Sequence, residues 1–335
     1  MKNLFGNTHF KEDLTLIADP HFEEKALALF RVQAAQNDLY AKYIHQLGVD
    51  VYAVQCLEDI PFLPIRFFKS HELTTGKYNP EAIFESSGTT GTINSKHLIA
   101  DLNAYLVNAE DNFETFFGPL ENYCILALLP SYLERNNSSL VFMADHFIKK
   151  CGHPQAGFFL HDHAELHKTL VDLQKTSTPV ILIGVTFALI DFAEKYRIQL
   201  NHTHILETGG MKGRKKEITR AELHEFLHAR LGTEKIGAEY GMTELQSQAY
   251  SYNHGVFYTP PTMRVLMRAL DDPFEIWNEK NGVAKSGVIN VIDLANKDSL
   301  AFIATDDLGR YTSDGGFEVL GRVDNCDIRG CSLMV

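Results

Sequence analysis

Buried strands alternating with amphipathic helices in the middle of the chain constrain its fold most strongly. Two continuous apolar runs, Tyr123–Leu129 and Pro179–Gly184, have the length and composition of strands that are covered on both faces. Apolar residues at helical spacing predict one helix at 101–117, before the first run, and a second helix at 187–196, directly after the second run. A third strand is predicted at 204–210, closed by a glycine turn. This alternation predicts an α/β fold with parallel pairing.

Capping and turn signals locate further elements on either side of this alternation. Apolar spacing over residues 22–47 predicts one long helix or two shorter ones. Residues 59–69 contain two prolines, which predict an extended connector packed by its aromatic side chains. Thr219 and Glu222 form a capping box for a helix at 220–231, and a glycine follows its last residue. The end of the chain is β-rich, with strands predicted at 288–292, 301–305 and 317–320.

Together these elements predict mixed or parallel sheets with flanking helices and a β-rich C-terminal part. We expect a helical N-terminal segment at 1–80 and a first α/β lobe at 81–200. A second α/β lobe at 201–335 would end in the β-rich part and a short tail.

Charge and cysteine usage exclude several classes of function. The chain has 31 basic and 43 acidic residues, a net charge of −12, without a basic block, which argues against nucleic acid or an anionic membrane surface as a partner. Small molecules or proteins are therefore the expected partners. With no signal-peptide pattern and no run long enough for a transmembrane segment, the expected location is cytoplasmic. The five cysteines are scattered and show no CxxC spacing, so neither a disulfide framework nor a zinc site is indicated.

A hydroxyl- and glycine-rich run at 84–96 has the composition of a phosphate-binding loop. Glycines let backbone N–H groups approach oxyanions, hydroxyls add rotatable donors, and Lys96 adds a point charge. The spacing differs from a Walker A motif, which needs Gly-Lys-Ser/Thr at the start of a helix. A surface turn explains the run equally well. The binding candidates are Ser86, Ser87, Gly88, Thr89, Thr90, Gly91 and Lys96.

A second run, 237–244, combines a glycine turn, an aromatic ring, a hydroxyl and a carboxylate. Tyr240 could cover an adenine, Thr243 could reach an α-phosphate, and Glu244 could hold Mg²⁺ on phosphate oxygens. The adjoining Glu239 and Gly241 are further candidates for nucleotide binding. The alternative is a loop with an ordinary surface glutamate, which the run alone would favour.

A third pattern is Thr-Asp-Asp-Leu-Gly-Arg at 305–310, followed by a second glycine-arginine pair that ends at Arg322. Asp307 could accept hydrogen bonds from ribose hydroxyls, with Arg322 as a donor. Paired aspartates are also common in hairpin turns, so a structural role is the alternative.

The order of these motifs resembles the adenylate-forming superfamily of acyl-CoA synthetases and adenylation domains over roughly residues 60–335. Within it, the Ile-Pro-Phe-Leu-Pro segment and the ending Arg329–Leu333 are similar to the acyl-protein synthetase of bacterial bioluminescence operons and its relatives. Phenylacetate-CoA ligases share the first of these segments. The resemblance implies the large N-terminal-domain fold of adenylate-forming enzymes, with ATP and Mg²⁺ as cofactors.

The resemblance also implies roles for individual residues. The phosphate loop falls on Ser86–Lys96, the adenine-stacking ring on Tyr240, the α-phosphate hydroxyl on Thr243 and the magnesium carboxylate on Glu244. Asp307 matches the ribose-binding aspartate, Arg322 the arginine near the hinge, and Gly209 with Gly210 the turn beside the adenine. The loop departs from the family in having two extra residues before Lys96 and no proline.

The chain ends thirteen residues after Arg322, so we expect the small mobile C-terminal domain of the superfamily, with its catalytic lysine, to be absent. An acyl-protein synthetase with a short tail fits this length better than a CoA ligase that works by domain rotation.

We therefore expect a ligase that activates a carboxylic acid with MgATP and transfers the acyl group to a thiol. The candidate thiol is its own Cys331, from which a partner protein such as a reductase, synthase or carrier protein would receive the acyl group. The alternatives are an acyl-CoA or acyl-carrier-protein ligase and a nucleotide-binding pseudoenzyme or assembly partner. A fatty acid and a small or aromatic acid are equally compatible with the apolar segments. Arg329 would favour a thiolate at Cys331, whereas a buried structural cysteine is the alternative and Cys326 is the competing acceptor.

Overall fold

A six-stranded sheet lies where the strand and helix alternation predicts one. The computed structural model describes residues 19–86, 93–129, 137–209, 218–279, 281–282 and 285–323. The sheet has the order β5-β4-β6-β7-β8-β9, and all neighbours are parallel except the last pair, so the predicted parallel pairing is confirmed. Its strands are β4 (Cys124–Leu128), β5 (Gly157–Phe158), β6 (Val180–Val185), β7 (Thr203–Thr208), β8 (Ile236–Tyr240) and β9 (Ala249–Ser251).

Helices cover both faces of this sheet, as its buried strands require. Helices α3 (Leu102–Phe117) and α4 (Ser139–Cys151) pack on one face, and α5 (His163–Thr176), α6 (Thr186–Lys195) and α7 (Arg220–Leu231) on the other. The predicted capping box at the start of α7 is present, and Gly232 ends that helix with φ 65°.

A second, largely antiparallel sheet of seven strands forms the β-rich part of the chain. Its main path is β10-β15-β14-β13-β11-β12, and β1 joins β14 in parallel. Its strands are β1 (Leu63–Pro64), β10 (Val256–Phe257), β11 (Met263–Arg268), β12 (Ile276–Trp277), β13 (Ser286–Asp293), β14 (Phe302–Tyr311) and β15 (Phe317–Arg322). The expectation of a β-rich end is therefore confirmed.

The N-terminal helices pack on this second sheet. Residues 22–47 form two helices, α1 (Phe22–Gln36) and α2 (Asp38–Gln46), because Asn37 has an extended backbone and its side chain accepts a hydrogen bond from Tyr40 N. The rings of Phe30 and Tyr40 contact Phe302 of β14. The amphipathic helices thus cover one face of the sheet.

The connector at 59–69 is only partly extended, which corrects the prediction. Leu63–Pro64 pairs with β14, but Ile65–Lys69 forms a 3-10 helix. Proline is not tolerated in the interior of a helix and disfavours helical geometry in the residue before it. It does not prevent a helical turn from starting directly after it, as happens after Pro64. This turn carries Lys69 towards the carboxyl ends of the first sheet.

A small antiparallel hairpin, β2 (Ala82–Glu85) and β3 (Lys96–Ile99), carries the predicted phosphate loop between its strands. Ser86 Oγ accepts a hydrogen bond from Ser95 N at 2.9 Å, and Ser86 N donates to Ser95 O at 3.1 Å. These two bonds close the base of the loop.

The proposed segment and lobe boundaries stay a prediction. The six-stranded sheet takes strands from both sides of residue 200, and the seven-stranded sheet includes β1 from the N-terminal segment. Among the described residues, no helix is both long and apolar enough to cross a bilayer.

Candidate functional site

A cavity of about 650 Å³ lies at the carboxyl ends of the central parallel strands, where the second sheet and the small hairpin meet them. Its walls include Thr208 and Gly209 after β7, Tyr240 at the end of β8, and Asp307 and Arg322 of the second sheet. Ligands of α/β proteins commonly bind at this edge, and the volume is in the usual range for ligand pockets. We call it the intersheet cavity.

The intersheet cavity brings together motifs that are far apart in the chain. The predicted residues on its walls are Ser86, Glu239, Tyr240, Gly241, Thr243, Glu244, Asp307 and Arg322. Lys96 begins β3 with an exposed side chain and does not belong to the described wall, so its role stays a prediction. The remaining candidates lie outside the described residues: Ser87, Gly88, Thr89, Thr90, Gly91, Gly210, Cys326 and Cys331.

Tyr240, Asp307 and Arg322 form one group, joined by a hydrogen bond and an ion pair. Tyr240 donates its hydroxyl to Asp307 Oδ2 at 3.0 Å, and Arg322 Nε lies 3.2 Å from Asp307 Oδ1. Burial raises the pKa of Asp307 above its usual value, and the nearby Arg322 acts in the opposite direction. The carboxylate is thus oriented from both sides, with the more exposed guanidinium towards solvent.

A bulge in β14 gives Asp307 this position. Val288 pairs with Leu308 and Asn290 with Ala304, so the three residues 305–307 of β14 face Ile289 alone. Thr305 Oγ1 donates to Ile289 O and accepts from Asp307 N, which holds the bulge together. Bulges re-aim side chains at functional sites. The paired aspartates are therefore part of a long strand and not of a hairpin turn.

Glu244 is the most deeply buried carboxylate among the predicted nucleotide-binding residues, with 6% of its surface exposed. Burial raises its pKa, and a hydrogen bond from Ser95 acts in the opposite direction. Since Ser95 closes the base of the loop between β2 and β3, Glu244 lies directly beside the predicted phosphate-binding segment.

Two buried side chains hold the backbone on either side of Glu244. His97 Nδ1 lies 2.8 Å from Thr243 O, and its Nε2 lies 3.0 Å from the carboxamide of Asn296, which in turn donates to Glu244 O at 2.8 Å. Burial lowers the pKa of His97 to about 4, so at neutral pH its ring has one N–H, which can be donated either to Thr243 O or to Asn296 Oδ1.

Asp293, at the end of β13, holds the residues that follow Glu244. It is fully buried and accepts hydrogen bonds from Gln246 N, Ser247 N, Ser247 Oγ and Ala295 N at 2.7 to 3.1 Å. On the other side, Asn108 of α3 donates to Gln246 O at 2.8 Å. Segment 242–248, which we call the carboxylate segment, is thus held by both sheets and a helix.

Glu239 carries a second carboxylate into the cavity wall. Thr208 Oγ1 donates to Glu239 Oε2 in a short hydrogen bond, and burial raises the pKa of Glu239 to about 7. A Cβ added to Gly241 would lie 2.0 Å from Glu239 Oε1, so glycine is required there for the carboxylate to keep its position.

Sequence reasoning missed several charged residues of this cavity. Arg66 and Lys69 reach its wall from the 3-10 helix, and Glu207 pairs with Arg220 at 2.7 Å. Lys69 belongs to the Pro-rich segment that carries the family resemblance, which was the available signal. No motif or spacing in the sequence predicts the pairing of Glu207 with Arg220.

The donor set fits magnesium bound together with a polyphosphate. Mg²⁺ usually keeps several waters and uses one or two protein carboxylates plus substrate phosphates. The described residues contain no cluster of three or more His, Cys, Asp or Glu side chains suited to a metal, and Glu244 is the cavity carboxylate that contacts Ser95 beside the predicted phosphate-binding segment. Glu244, with the Thr243 hydroxyl beside it, would hold the ion against the phosphates.

Comparison with known proteins gives a family and a fold. The model of the acyl-protein synthetase family LuxE matches residues 17–335. Among curated proteins, no sequence matches this chain. Among solved structures, 2-hydroxyisobutyryl-CoA ligase in an open conformation, in complex with 2-HIB-AMP and CoA, has a TM-score of 0.63 at 12% identity, covering 90% of this chain and 69% of the ligase.

A long-chain-fatty-acid-CoA ligase from Archaeoglobus fulgidus is a second structure with this fold. It has a TM-score of 0.51 at 14% identity, and the match covers 72% of this chain. The chain spans about half the length of that ligase, 51%. These similarities confirm the predicted fold of adenylate-forming enzymes.

Proposed function

Because this chain belongs to the acyl-protein synthetase family LuxE, we propose that it activates a carboxylic acid with ATP and transfers the acyl group to a thiol. The observation that supports the proposal is the intersheet cavity, whose described wall includes eight of the candidate residues, from separate segments of the chain: Ser86, Glu239, Tyr240, Gly241, Thr243, Glu244, Asp307 and Arg322. A solved enzyme of the same fold holds an acyl-adenylate, 2-HIB-AMP, together with CoA.

In the first step, a carboxylate oxygen of the acid attacks the α-phosphorus of ATP. The bond from this phosphorus to the bridging oxygen breaks, and pyrophosphate leaves with the electron pair, which yields an acyl-adenylate. Bound Mg²⁺ would neutralise charge on the phosphate oxygens. The Thr243 hydroxyl would orient the α-phosphate, and Glu244 would hold the ion in place. Alignment and charge stabilisation are the main contributions that a protein makes to such a step.

The nucleotide would be oriented by the group around Asp307. A carboxylate that accepts one hydrogen bond, from Tyr240, and forms an ion pair with Arg322 keeps lone pairs for ribose hydroxyls. The Tyr240 ring packs against Phe257 and Phe317, so its position is set before a base stacks on it.

In the second step, a thiolate attacks the acyl carbonyl carbon, the bond from this carbon to the phosphate oxygen breaks, and AMP leaves. We propose Cys331 as this thiol, on the family resemblance of Arg329–Leu333 and on the positive charge of Arg329 beside it. A partner protein would then receive the acyl group from Cys331.

Two measurements on one sample test both steps. With MgATP and radiolabelled acid, we expect acid-dependent exchange of pyrophosphate into ATP and a hydroxylamine-labile label on the protein. In Cys331→Ser the label should disappear while the exchange persists, since adenylation precedes the transfer. Loss of the label in Cys326→Ser but not in Cys331→Ser would show that Cys326, and not Cys331, accepts the acyl group.

The same measurements separate the alternatives. Exchange without a labile protein label, accompanied by an acyl-CoA or acyl-carrier product, would identify a CoA or carrier-protein ligase. Nucleotide binding without exchange for any acid would identify a pseudoenzyme.

The cavity also predicts which lysine contacts the phosphates. Six carboxylates line the cavity, so a polyanionic nucleotide needs cations there, and Lys69 lies on the wall whereas Lys96 does not. We expect Lys69→Ala to raise the KM for ATP about 10-fold, the scale of one lost charged hydrogen bond, and Lys96→Ala to change it less than about 3-fold. Steady-state exchange at varied ATP measures both. A larger rise in the KM for ATP in Lys96→Ala than in Lys69→Ala would assign the phosphate contact to Lys96.

A further inference from the structure

We propose that the acid carries a hydrogen-bond donor, a hydroxyl or ammonium group, on its acyl chain, and that Glu239 and Gln248 recognise this group in the wall of the intersheet cavity. The proposal rests on the proposed function, because it assigns a substrate class to the same site. It distinguishes this chain from an enzyme that takes an unsubstituted alkyl acid.

Glu239 provides a carboxylate that the nucleotide contacts proposed above do not use. Its Oε2 accepts from Thr208, and its Oε1 lies beside Gly241 on the cavity wall. Burial favours its protonated form, with a pKa of about 7, and a donor from a ligand would restore its acceptor role. An alkyl chain at this place would leave the carboxyl group without water and without a new partner, which is costly.

Gln248 is an independent observation that points to a donor. Its side chain is 4% exposed and lines the same cavity, and its Oε1 has no hydrogen-bond partner among the residues that the structure describes. Its amide nitrogen already donates to Gln246 O at 3.2 Å, which sets the orientation of the carboxamide. Buried acceptors are nearly always satisfied in proteins, so an unsatisfied one in a ligand cavity indicates a missing donor.

The side chains of Glu239 and Gln248 both lie beside Gly241. Both Glu239 Oε1 and Gln248 Cγ are near the site where a Cβ on Gly241 would lie, at 2.0 and 3.3 Å. This proximity follows from the antiparallel pairing of Tyr240 with Ala249, which places Gln248 opposite Gly241. One donor-bearing group could therefore contact both oxygens.

Apolar side chains on the described wall leave room for a carbon chain beside these acceptors. Leu140 and Met143 of α4 line the cavity together with Tyr105 of α3. The site would thus combine an apolar surface for the chain with a polar position for the substituent, as ligand pockets commonly do.

Pyrophosphate exchange with acids matched in length tests this inference. The pairs are butanoate with 3-hydroxybutanoate and 4-aminobutanoate, and dodecanoate with 3-hydroxydodecanoate. We expect at least one substituted acid to exceed its unsubstituted match in kcat/KM by about 100-fold or more, because sites built for hydrogen bonding strongly reject analogues that lack the group. The hydroxy and amino arms distinguish the two donors.

Variants connect the preference to the two residues. Glu239→Leu and Gln248→Leu should each reduce the preference for the substituted acid at least about 10-fold, and Gln248→Leu should change the KM for ATP less than about 3-fold. Glu239→Gln, nearly the same shape, serves if Glu239→Leu does not fold, and should reduce the preference less. Glu234→Gln, at a side chain that is 89% exposed and outside the cavity, should leave the preference unchanged.

Three results would overturn the inference. The first is equal or higher kcat/KM for the unsubstituted acid in every pair, which leaves the proposed function intact. The second is a preference that Glu239→Leu and Gln248→Leu do not change while the KM for ATP rises, which would assign these acceptors to the adenine amine.

If no acid supports exchange, the proposed function fails. Recognition of the acid is then measured as the rise in Tm that each acid causes. Equal rises for matched acids would overturn the inference as well, and a larger rise for the substituted acid would support it.

Discussion

Replacing Glu244 by glutamine should slow acid-dependent pyrophosphate exchange by about 100-fold or more, the scale of losing one strong preorganised electrostatic contact. The substitution keeps the shape of the side chain and removes the charge that would hold Mg²⁺ against the phosphates. Because Glu244 is 6% exposed and its backbone is held by His97 and Asn296, water cannot readily take its place.

Exchange rates at varied Mg²⁺ and ATP measure this effect. Glu234→Gln, the same change at an exposed glutamate outside the cavity, is the matched control and should exchange at the parent rate. Thermal unfolding of both variants separates a catalytic loss from a folding defect. Exchange at the parent rate in Glu244→Gln would contradict the assignment.

Replacing Asp293 by alanine should lower the free energy of unfolding by about 3–5 kcal/mol, the scale seen when a buried charged group is removed from its partners. Three backbone N–H groups and the Ser247 hydroxyl would lose their acceptor at a position without access to water. The carboxylate segment would lose its link to β13, so exchange should slow as well.

Urea unfolding followed by the fluorescence of the single tryptophan, Trp277, measures the stability of the same sheet. Ser247→Ala removes one of the hydrogen bonds and should cost about 1 kcal/mol. Asp271→Ala, at an exposed loop position, should change stability by no more than about 0.5 kcal/mol. A loss in Asp293→Ala as small as in Asp271→Ala would show that the four hydrogen bonds do not hold the segment.

Much of the fold could be predicted because it rests on local signals. The strands β4, β6 and β7 were predicted from short apolar runs, and α7 from its capping box and terminal glycine. Parallel pairing followed because strands joined by helices must run in the same direction. The 3-10 helix at Ile65–Lys69 was missed because the two prolines before it dominated the local pattern.

The sequence by itself also determined the candidate nucleotide residues, since each motif is continuous in the chain and its order carries the family resemblance. Their arrangement depended on the tertiary structure. His97 contacts a carbonyl 146 residues away, and Asn296 reaches Glu244 from 52 residues beyond it. Such contacts depend on how the two sheets pack, and no spacing along the chain encodes that.

The position of Asp307 and the surroundings of Glu239 were likewise decided only by the folded chain. Asp307 faces the cavity because of a bulge whose partner strand lies at 286–293, and the side chains of Gln248 and Glu239 both lie beside Gly241 only because β8 pairs with β9. Local propensity sets which residues form a strand. Burial, hydrogen-bond satisfaction and the chemistry of a cavity depend on neighbours that are distant in sequence, and only the tertiary structure brings these together.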